Sequence, residues 1–457
     1  MNKKYSFDRQ AALDAYSPLR RRLLGSALIA STTPLLLSAC GSSGSDSSPP
    51  NSESPGLGSS GGDGSSAFTV QDRKIMRNGE EFFAKGVCYS PVPIGAWAGA
   101  APGGDHFSDF WEPLFNRDMG TLAGMGCNSI RLYMTSPWET PWDPNSNRQY
   151  HTKFMDACAV HGIYVWVAYP MTPEQAMNTN DRKRIETGFQ LLCEEMGKHE
   201  SIIGFTIGNE LDTFGIDKGV EFGNATQADF WNWINTLAGK VKGWAPDKLV
   251  STSLHDIPRV IELMVDPAVG KGVPNLDVIS LNSYRGTQST GFDTMFTDYD
   301  AKFKNAGLPD RPFLVTEFGC PASTRQGSTP VELPDHAKAQ ADYIEAHWKD
   351  IEKHHGLNLC SGGYVFSWAD EWWKIGNITT QEGHSSCGVP QFPGGCPDEE
   401  WYGINSIGVG KKNDGTPRDP ADPVTKENVD GKDVYVHHPD ILTPRAAVER
   451  LSTLWKA

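Results

Sequence analysis

From about Ala67 onward, short apolar runs rich in β-branched residues alternate with longer stretches whose apolar positions recur at helical spacing. The short runs are Ala84–Ser90, Ser129–Met134, Tyr164–Tyr169, Ile202–Ile207, Leu249–Ser253, Val278–Asn282, Phe313–Thr316 and Gly363–Ser367. Continuous apolar runs of this length suit parallel strands covered on both faces. Between them lie amphipathic stretches such as Trp111–Gly124, Arg182–Gly197, Ala228–Gly243, Tyr299–Ala306 and His336–His355, and a final helix over Pro444–Lys456 follows the eighth run. Eight strand–helix units over about 390 residues fit an α/β fold, a closed (β/α)8 TIM barrel with enlarged loops at the C-terminal ends of its strands. Phe68–Phe83 reads as a hairpin turned at Asn78-Gly79, placed to close the bottom of the barrel. Glu371–Gly410 has no periodicity and is expected to form a loop over the mouth. A doubly wound open sheet is the alternative. It would want a Gly-rich phosphate turn after its first strand, and the sequence there is Gly86-Val87-Cys88-Tyr89-Ser90-Pro91.

The first 66 residues have a different character. Arg20-Arg21-Arg22 precede the apolar stretch Leu23–Leu37, which ends in Leu37-Ser38-Ala39-Cys40. A basic flank, a short apolar core and small residues make residues 1–40 a secretory signal. The Cys after Leu-Ser-Ala resembles a bacterial lipobox, which implies lipidation of Cys40, and the arginines resemble a twin-arginine export signal; a plain signal with a chance Cys is the alternative. Residues 41–66 are nearly all Ser, Gly, Pro and Asp and read as a flexible tether. The mature domain is then 67–457, exported and held to a membrane by lipid alone, since no other apolar run is long enough to span one. Gly41 after the lipidation site resembles the outer-membrane sorting pattern.

Charge and composition narrow the chemistry. The net charge is −15, and residues 1–40 carry six basic against two acidic residues, so their removal leaves the remainder more acidic still. Such a chain repels nucleic acid and anionic lipid and favours a neutral glycan over a polyanionic one. Fourteen Trp exceed what a core of this size needs, which points to irregular packing or to stacking platforms for sugar rings. Export permits disulfides. Cys387 and Cys396 bracket a Gly/Pro-rich loop and are the candidate pair, whereas Cys88, Cys127 and Cys158 sit in or beside apolar runs as buried thiols. No cysteine spacing suits zinc, and neither metal nor cofactor is expected.

Two glutamates stand out. Ile202–Ile207 runs into Gly208-Asn209-Glu210, and Phe313–Thr316 runs into Glu317-Phe318-Gly319. Counted along the chain these are strands four and seven, and the glutamates are 107 residues apart, which suits three strand–helix units. Residues at the C-terminal ends of barrel strands converge on one mouth. Two carboxylates there can flank a glycosidic bond, one donating a proton and the other attacking the anomeric carbon. A lone Glu at a strand end is more simply a structural ion pair; two at these strand numbers are not.

These strings resemble clan A glycoside hydrolases, in which an Asn-Glu ends strand four and a Glu ends strand seven. Gly-Asn-Glu followed by Glu-Phe-Gly-Cys is similar to the fungal β-1,3-glucanosyltransferases and to the barrel domains of β-galactosidase and β-glucuronidase relatives. The resemblance spans Phe82 to the C-terminus, though their additional cysteine-rich framework is not traceable here and the aromatic string after strand eight differs. It implies Glu210 as acid/base and Glu317 as nucleophile, about 5–5.5 Å apart for a retaining enzyme. It implies Asn209 as the group binding the sugar 2-hydroxyl, Arg131 as the cation that keeps Glu317 ionised, Tyr284 as its hydrogen-bond donor and Trp368 as the floor of the subsite. The charge of Glu317 is expected to raise the pKa of Glu210. Asp370 and Glu371 bind hydroxyls further out, or form ion pairs with Lys374 or Arg131. Tyr89, Tyr133 and Tyr169, at other strand ends, are further candidates for the cleft. His255, ending strand five, either contacts substrate or is structural.

The expected activity is that of a retaining O-glycosyl hydrolase on the β-bonds of a neutral, β-glucan-type oligo- or polysaccharide, working as a monomer. Transglycosylation on the same site stays open. A non-catalytic glycan-binding lipoprotein would not need both glutamates with Asn209 and Arg131. An esterase would want Gly-x-Ser-x-Gly at a strand-to-helix turn, and Gly41-Ser42-Ser43-Gly44-Ser45 lies in the tether.

Overall fold

The computed structural model describes residues 67–99, 105–213, 226–384, 387–429 and 431–457. The expected signal, Cys40 and the tether lie outside the described residues.

The chain enters through three short antiparallel strands, β1 (Phe68–Gln71), β2 (Lys74–Arg77) and β3 (Glu80–Glu81). The single expected hairpin is therefore two. Asp72 (φ 49°) and Arg73 (φ 66°) turn β1 into β2, and Asn78 (φ 52°) with Gly79 (φ 86°) turns β2 into β3. Paired left-handed residues give the tight turn whose twist matches its flanking strands. Asn-Gly announces such a turn, whereas Asp-Arg does not.

The barrel follows: β4 (Ala84–Cys88), β5 (Ser129–Arg131), β6 (Tyr164–Ala168), β7 (Ile202–Asn209), β8 (Leu249–His255), β9 (Val278–Asn282) and β10 (Phe313–Phe318), then, after the hairpin of β11 (Ser323–Gln326) and β12 (Thr329–Glu332), β13 (Gly362–Val365). These eight strands close in chain order, every pair parallel, with β13 returning to β4. Helices Glu112–Gly124, Thr152–Val160, Thr179–Met196, Gln227–Trp244, Pro258–Val265, Met295–Asn305 and Pro334–Gly356 lie between them.

Alternation along each strand sorts two cores. Val87, Ile130, Val165, Phe205 and Val250 point outward, in one hydrophobic layer with Phe115, Leu122, Phe189 and Trp231 of the helices. Ala84, Cys88, Trp166, Ile203, Leu249, Val278, Leu314 and Tyr364 fill the interior. Each large side chain so buried contributes about 1.5–3 kcal/mol. Gly86 makes room for the Tyr364 ring, which would lie 2.4 Å from a Cβ at that position; its glycine serves interior packing. Phe68 and Phe82 of the entry sheet meet Tyr164, the first residue of β6, edge-on at 5.5 and 5.4 Å. That sheet plugs the N-terminal end of the barrel.

After β13 the expected loop carries the Cys387–Cys396 disulfide and gives way at its end to β14 (Asn405–Gly408). Beyond it come the hairpin of β15 (Val424–Val429) and β16 (Lys432–His437), and β17 (Ile441–Pro444), which pairs with β14. Pro444 thus ends a strand, and the last helix spans Ala446–Lys456, packed on Pro334–Gly356 with Trp348 and Trp455 5.4 Å apart. Among the described residues, no helix is long and apolar enough to cross a membrane.

Candidate active site

β7 leaves the barrel through a sharply bent Gly208-Asn209-Glu210. Gly208 has φ 71°, and a Cβ there would lie 2.4 Å from the Leu211 side chain. Glu210 itself has φ 50°, a left-handed conformation that costs an L residue about 1–2 kcal/mol. The bend is held because the Glu210 N–H donates to Ser253 O of β8 at 2.8 Å. It turns the Glu210 carboxyl over the barrel mouth. Glu317 lies within β10, in register with Asn282 of β9. Arg131, Asn209, His255 and Asn282 each end a strand, so all six residues share the C-terminal face of the barrel.

Glu317 is almost fully buried and held by three donors. Arg131 Nη1 and the Tyr133 hydroxyl both donate to Oε1 at 2.7 Å, and the Tyr284 hydroxyl donates to Oε2 at 2.8 Å. Hydrogen bonds to a charged acceptor are each worth about 1.5–3 kcal/mol, so this carboxylate is fixed in place. Arg131 is fully buried; burial opposes its charge, but Tyr133 and Glu317 outweigh burial and hold its pKa above the usual value. Its second nitrogen reaches Asn209 Oδ1 at 2.6 Å. Asn282 completes the bridge, donating to Asn209 Oδ1 at 2.9 Å and to Glu210 Oε1 at 3.0 Å while accepting from Thr316 Oγ1 at 2.8 Å. One continuous network therefore runs from Glu317 through Arg131, Asn209 and Asn282 to Glu210.

The surroundings of Glu210 correct one expectation. Burial works against its ionisation, yet His255 and the Asn282 amide outweigh it and bring the pKa down to about 2. His255 Nε2 lies 3.0 Å from Glu210 Oε2, and its Nδ1 lies 3.4 Å from the buried Asp212. Burial opposes the His255 charge, but the two carboxylates lift it to about 11. Glu210 is an ion-paired carboxylate at neutral pH, and not the raised acid expected from the charge of Glu317.

Several candidates lie elsewhere. Trp368 is fully buried in the outer hydrophobic layer. The ring beneath the site is Phe366, edge-on to Tyr133 and Tyr284 at 6.4 Å each, with Lys374 Nζ 4.2 Å from its centroid. The β13 ladder ends at Val365, so strand alternation does not extend to Trp368. Tyr89 is fully buried on the helix side and donates to Asp118 at 2.9 Å, and Tyr169 donates to Pro141 O at 2.8 Å. Asp370 is an ion-pair residue whose partner is Arg445, bound through both oxygens at 2.7 Å, with Gln381 a further donor at 2.8 Å. Glu371 is buried 3.2 Å from Lys374, which also lies 3.4 Å from Glu399; burial pushes Glu371 up to about 7 against the pull of Lys374. The Glu371–Lys374 pair is the ion-pair alternative the sequence offered; Asn282, Phe366 and Asp212 were not singled out by sequence, although a polar residue closing the buried run Val278–Asn282 was a readable signal for the first.

The sequence matches the family described as glucanosyltransferase over residues 59–392. Comparison with curated proteins gives no match. Among solved structures the chain is similar to a β-glucuronidase from Bifidobacterium dentium, at 16% identity and a TM-score of 0.51, covering 86% of this chain and 49% of that one. It is also similar to a GH2 β-galacturonidase from Eisenbergiella tayi, at 17% identity and a TM-score of 0.50, covering 86% of this chain and 54% of that one. The chain spans about half the length of these structures, and at such identity the likeness is one of fold.

Proposed function

The chain belongs to the glucanosyltransferase family, a family of glycan-processing enzymes, and from that premise we propose that it acts on the β-linkages of a neutral β-glucan by a retaining double displacement. The observation that carries this reading is the network joining the two glutamates across one barrel mouth. Glu317, aligned by Arg131, Tyr133 and Tyr284, attacks the anomeric carbon while Glu210 protonates the departing glycosidic oxygen. With Oδ1 of Asn209 taken by Arg131 and Asn282, its NH2 is the end offered to the sugar 2-hydroxyl, a contact that strengthens as positive charge grows on the ring. Glu210, now a carboxylate, then deprotonates the group that resolves the glycosyl-enzyme.

Glu317→Ala abolishes turnover, and added azide restores cleavage of an activated β-glycoside with formation of a glycosyl azide. Ordinary hydrolysis by Glu317→Ala would overturn the assignment. The family match favours a sugar hydroxyl over water as the resolving group. Lengthened products at high acceptor concentration support transfer, and shortened ones alone support hydrolysis. Export with lipidation at Cys40 is part of the same proposal, checked by radiolabelled palmitate incorporation that Cys40→Ser removes.

A further inference from the structure

His255 occupies a place that the double-displacement scheme leaves without a task. It closes β8, beside the bend that carries Glu210, and its imidazole spans two carboxylates: Nε2 to Glu210 Oε2 at 3.0 Å and Nδ1 to Asp212 Oδ2 at 3.4 Å. Asp212 is completely buried and also accepts the His255 backbone N–H at 3.2 Å, which fixes the residue at both its main chain and its ring. Asp212 lies in the short 3-10 turn Leu211–Thr213 immediately after Glu210, so acid and buried anchor are two residues apart and move together. The edge of Glu210 away from His255 accepts from Asn282. The side chains of Glu210 and His255 are 21% and 26% exposed, so the pair stands at the open mouth while its anchor does not.

We propose that His255, oriented by Asp212, is a positioning residue that stores the proton Glu210 delivers to the leaving oxygen and takes it back when the glycosyl-enzyme is resolved. This rests on the reading of Glu210 as acid/base. In the resting enzyme the pair is imidazolium and carboxylate, because the imidazole lies between two carboxylates, which raise its pKa, and itself lowers that of Glu210. A glycan filling the mouth displaces water, and a dry site disfavours separated charge relative to the neutral pair. The proton then moves from Nε2 to Glu210 Oε2, and from the carboxyl to the glycosidic oxygen as the C–O bond breaks and Glu317 forms its ester. The enzyme is left with neutral His255, Glu210 carboxylate and neutral Glu317 ester. In the second half a hydroxyl attacks the anomeric carbon, its proton returns through Glu210 to Nε2, and Glu317 leaves as a carboxylate. Protons and charge balance over the cycle with no further reagent.

The described charged groups around this pair come from several elements. Arg131 of β5 acts on Glu210 from below, Asp212 faces His255, and Glu399 of the loop after β13 feels the charge of Glu210. Asp256, next to His255, is committed to Arg285, with Nη2 to Oδ1 at 2.5 Å and Nε to Oδ2 at 2.8 Å. Arg131 is buried and tied to Glu317 and Asn209, and the buried Asp212 is bound to His255 itself, so the proton shared by Glu210 and His255 is the one whose loss ends acid catalysis.

The test is the pH dependence of kcat/KM on an unactivated β-glucan oligosaccharide. In the wild type the basic limb follows loss of the shared proton and lies well into the alkaline range. In His255→Gln, Glu210 must hold the proton alone, and the limb falls toward about 6–7, the range to which burial and neighbouring groups raise catalytic carboxylic acids. Asp212→Asn moves it the same way by less. A basic limb unchanged in both variants, with activity reduced evenly at all pH values, overturns the inference and leaves His255 a structural role. Glu210→Ala separates the two levels: full activity of that variant on the same oligosaccharide would overturn the acid/base reading itself. Its inactivity together with an unmoved limb in His255→Gln would overturn only the relay.

Discussion

Asn282→Ala tests whether the two glutamates work as one unit. Asn282 is 2% exposed, donates to Asn209 and Glu210 and accepts from Thr316. Its removal takes from Glu210 a charged hydrogen bond worth about 1.5–3 kcal/mol and from the Thr316 hydroxyl a neutral one worth about 1 kcal/mol. Asn209 Oδ1 keeps its bond from Arg131. The stability loss in a urea titration is therefore about 3 kcal/mol, which a folded domain of this size survives. The activity loss has a different origin. Glu210 would lose its hydrogen bond to β9, and a misplacement of about 1 Å costs about 100-fold in rate, or about 2.7 kcal/mol in activation free energy. The loss should be large for an alkyl β-glucoside, which needs protonation of its leaving group, and small for a dinitrophenyl β-glucoside, which does not. Combining Asn282→Ala with Glu210→Gln should add little to the loss caused by Glu210→Gln alone, because the two changes strike one interaction. A folded Asn282→Ala protein that hydrolyses both substrates as the wild type does would refute this reasoning, as would strict additivity with Glu210→Gln.

Arg445→Met should cost about 3–5 kcal/mol in a urea titration, because it strands the buried Asp370 carboxylate; kcat/KM per folded molecule should change far less, and a loss of activity at unchanged stability would return Asp370 to the cleft. At position 210, Glu210→Gly and Glu210→Ala both remove the side chain, but the glycine variant should be the more stable by about 1 kcal/mol, since only glycine adopts φ 50° freely. Equal melting temperatures, or the reverse order, would count against backbone strain at the bend.

The barrel and its two glutamates were legible because both depend on local pattern. β7 and β10 are buried on both faces and read as unbroken apolar runs, and a carboxylate where such a run stops has few places to be except the mouth. Tyr133 followed from the same count of strand ends, whereas Arg131 and Tyr284 came from the resemblance to clan A glycoside hydrolases. What the pattern does not carry is pairing over distance. Asp370 meets Arg445 from 75 residues away, and the sequence between them has no period that links them. His255 meets Glu210 only because β7 and β8 are neighbours in the barrel, and the consequence for the charge of Glu210 depends on Asp212, a residue in an irregular turn. Phe366 was passed over for Trp368 because the eighth strand stops pairing at Val365, and side-chain direction past a strand end is not a sequence property.

The small entry sheet has a geometric consequence for a tethered enzyme. β1 sits against the N-terminal ends of the barrel strands, by way of Phe68, Phe82 and Tyr164, while Glu210 and Glu317 sit at the opposite ends. The first described residues therefore lie at the pole opposite the two glutamates. If the sequence before them carries a lipid at Cys40, the point of attachment lies on the side of the barrel opposite the two glutamates. Such an anchor would limit how far the enzyme roams and still leave its cleft free to meet a polymer arriving from the far side.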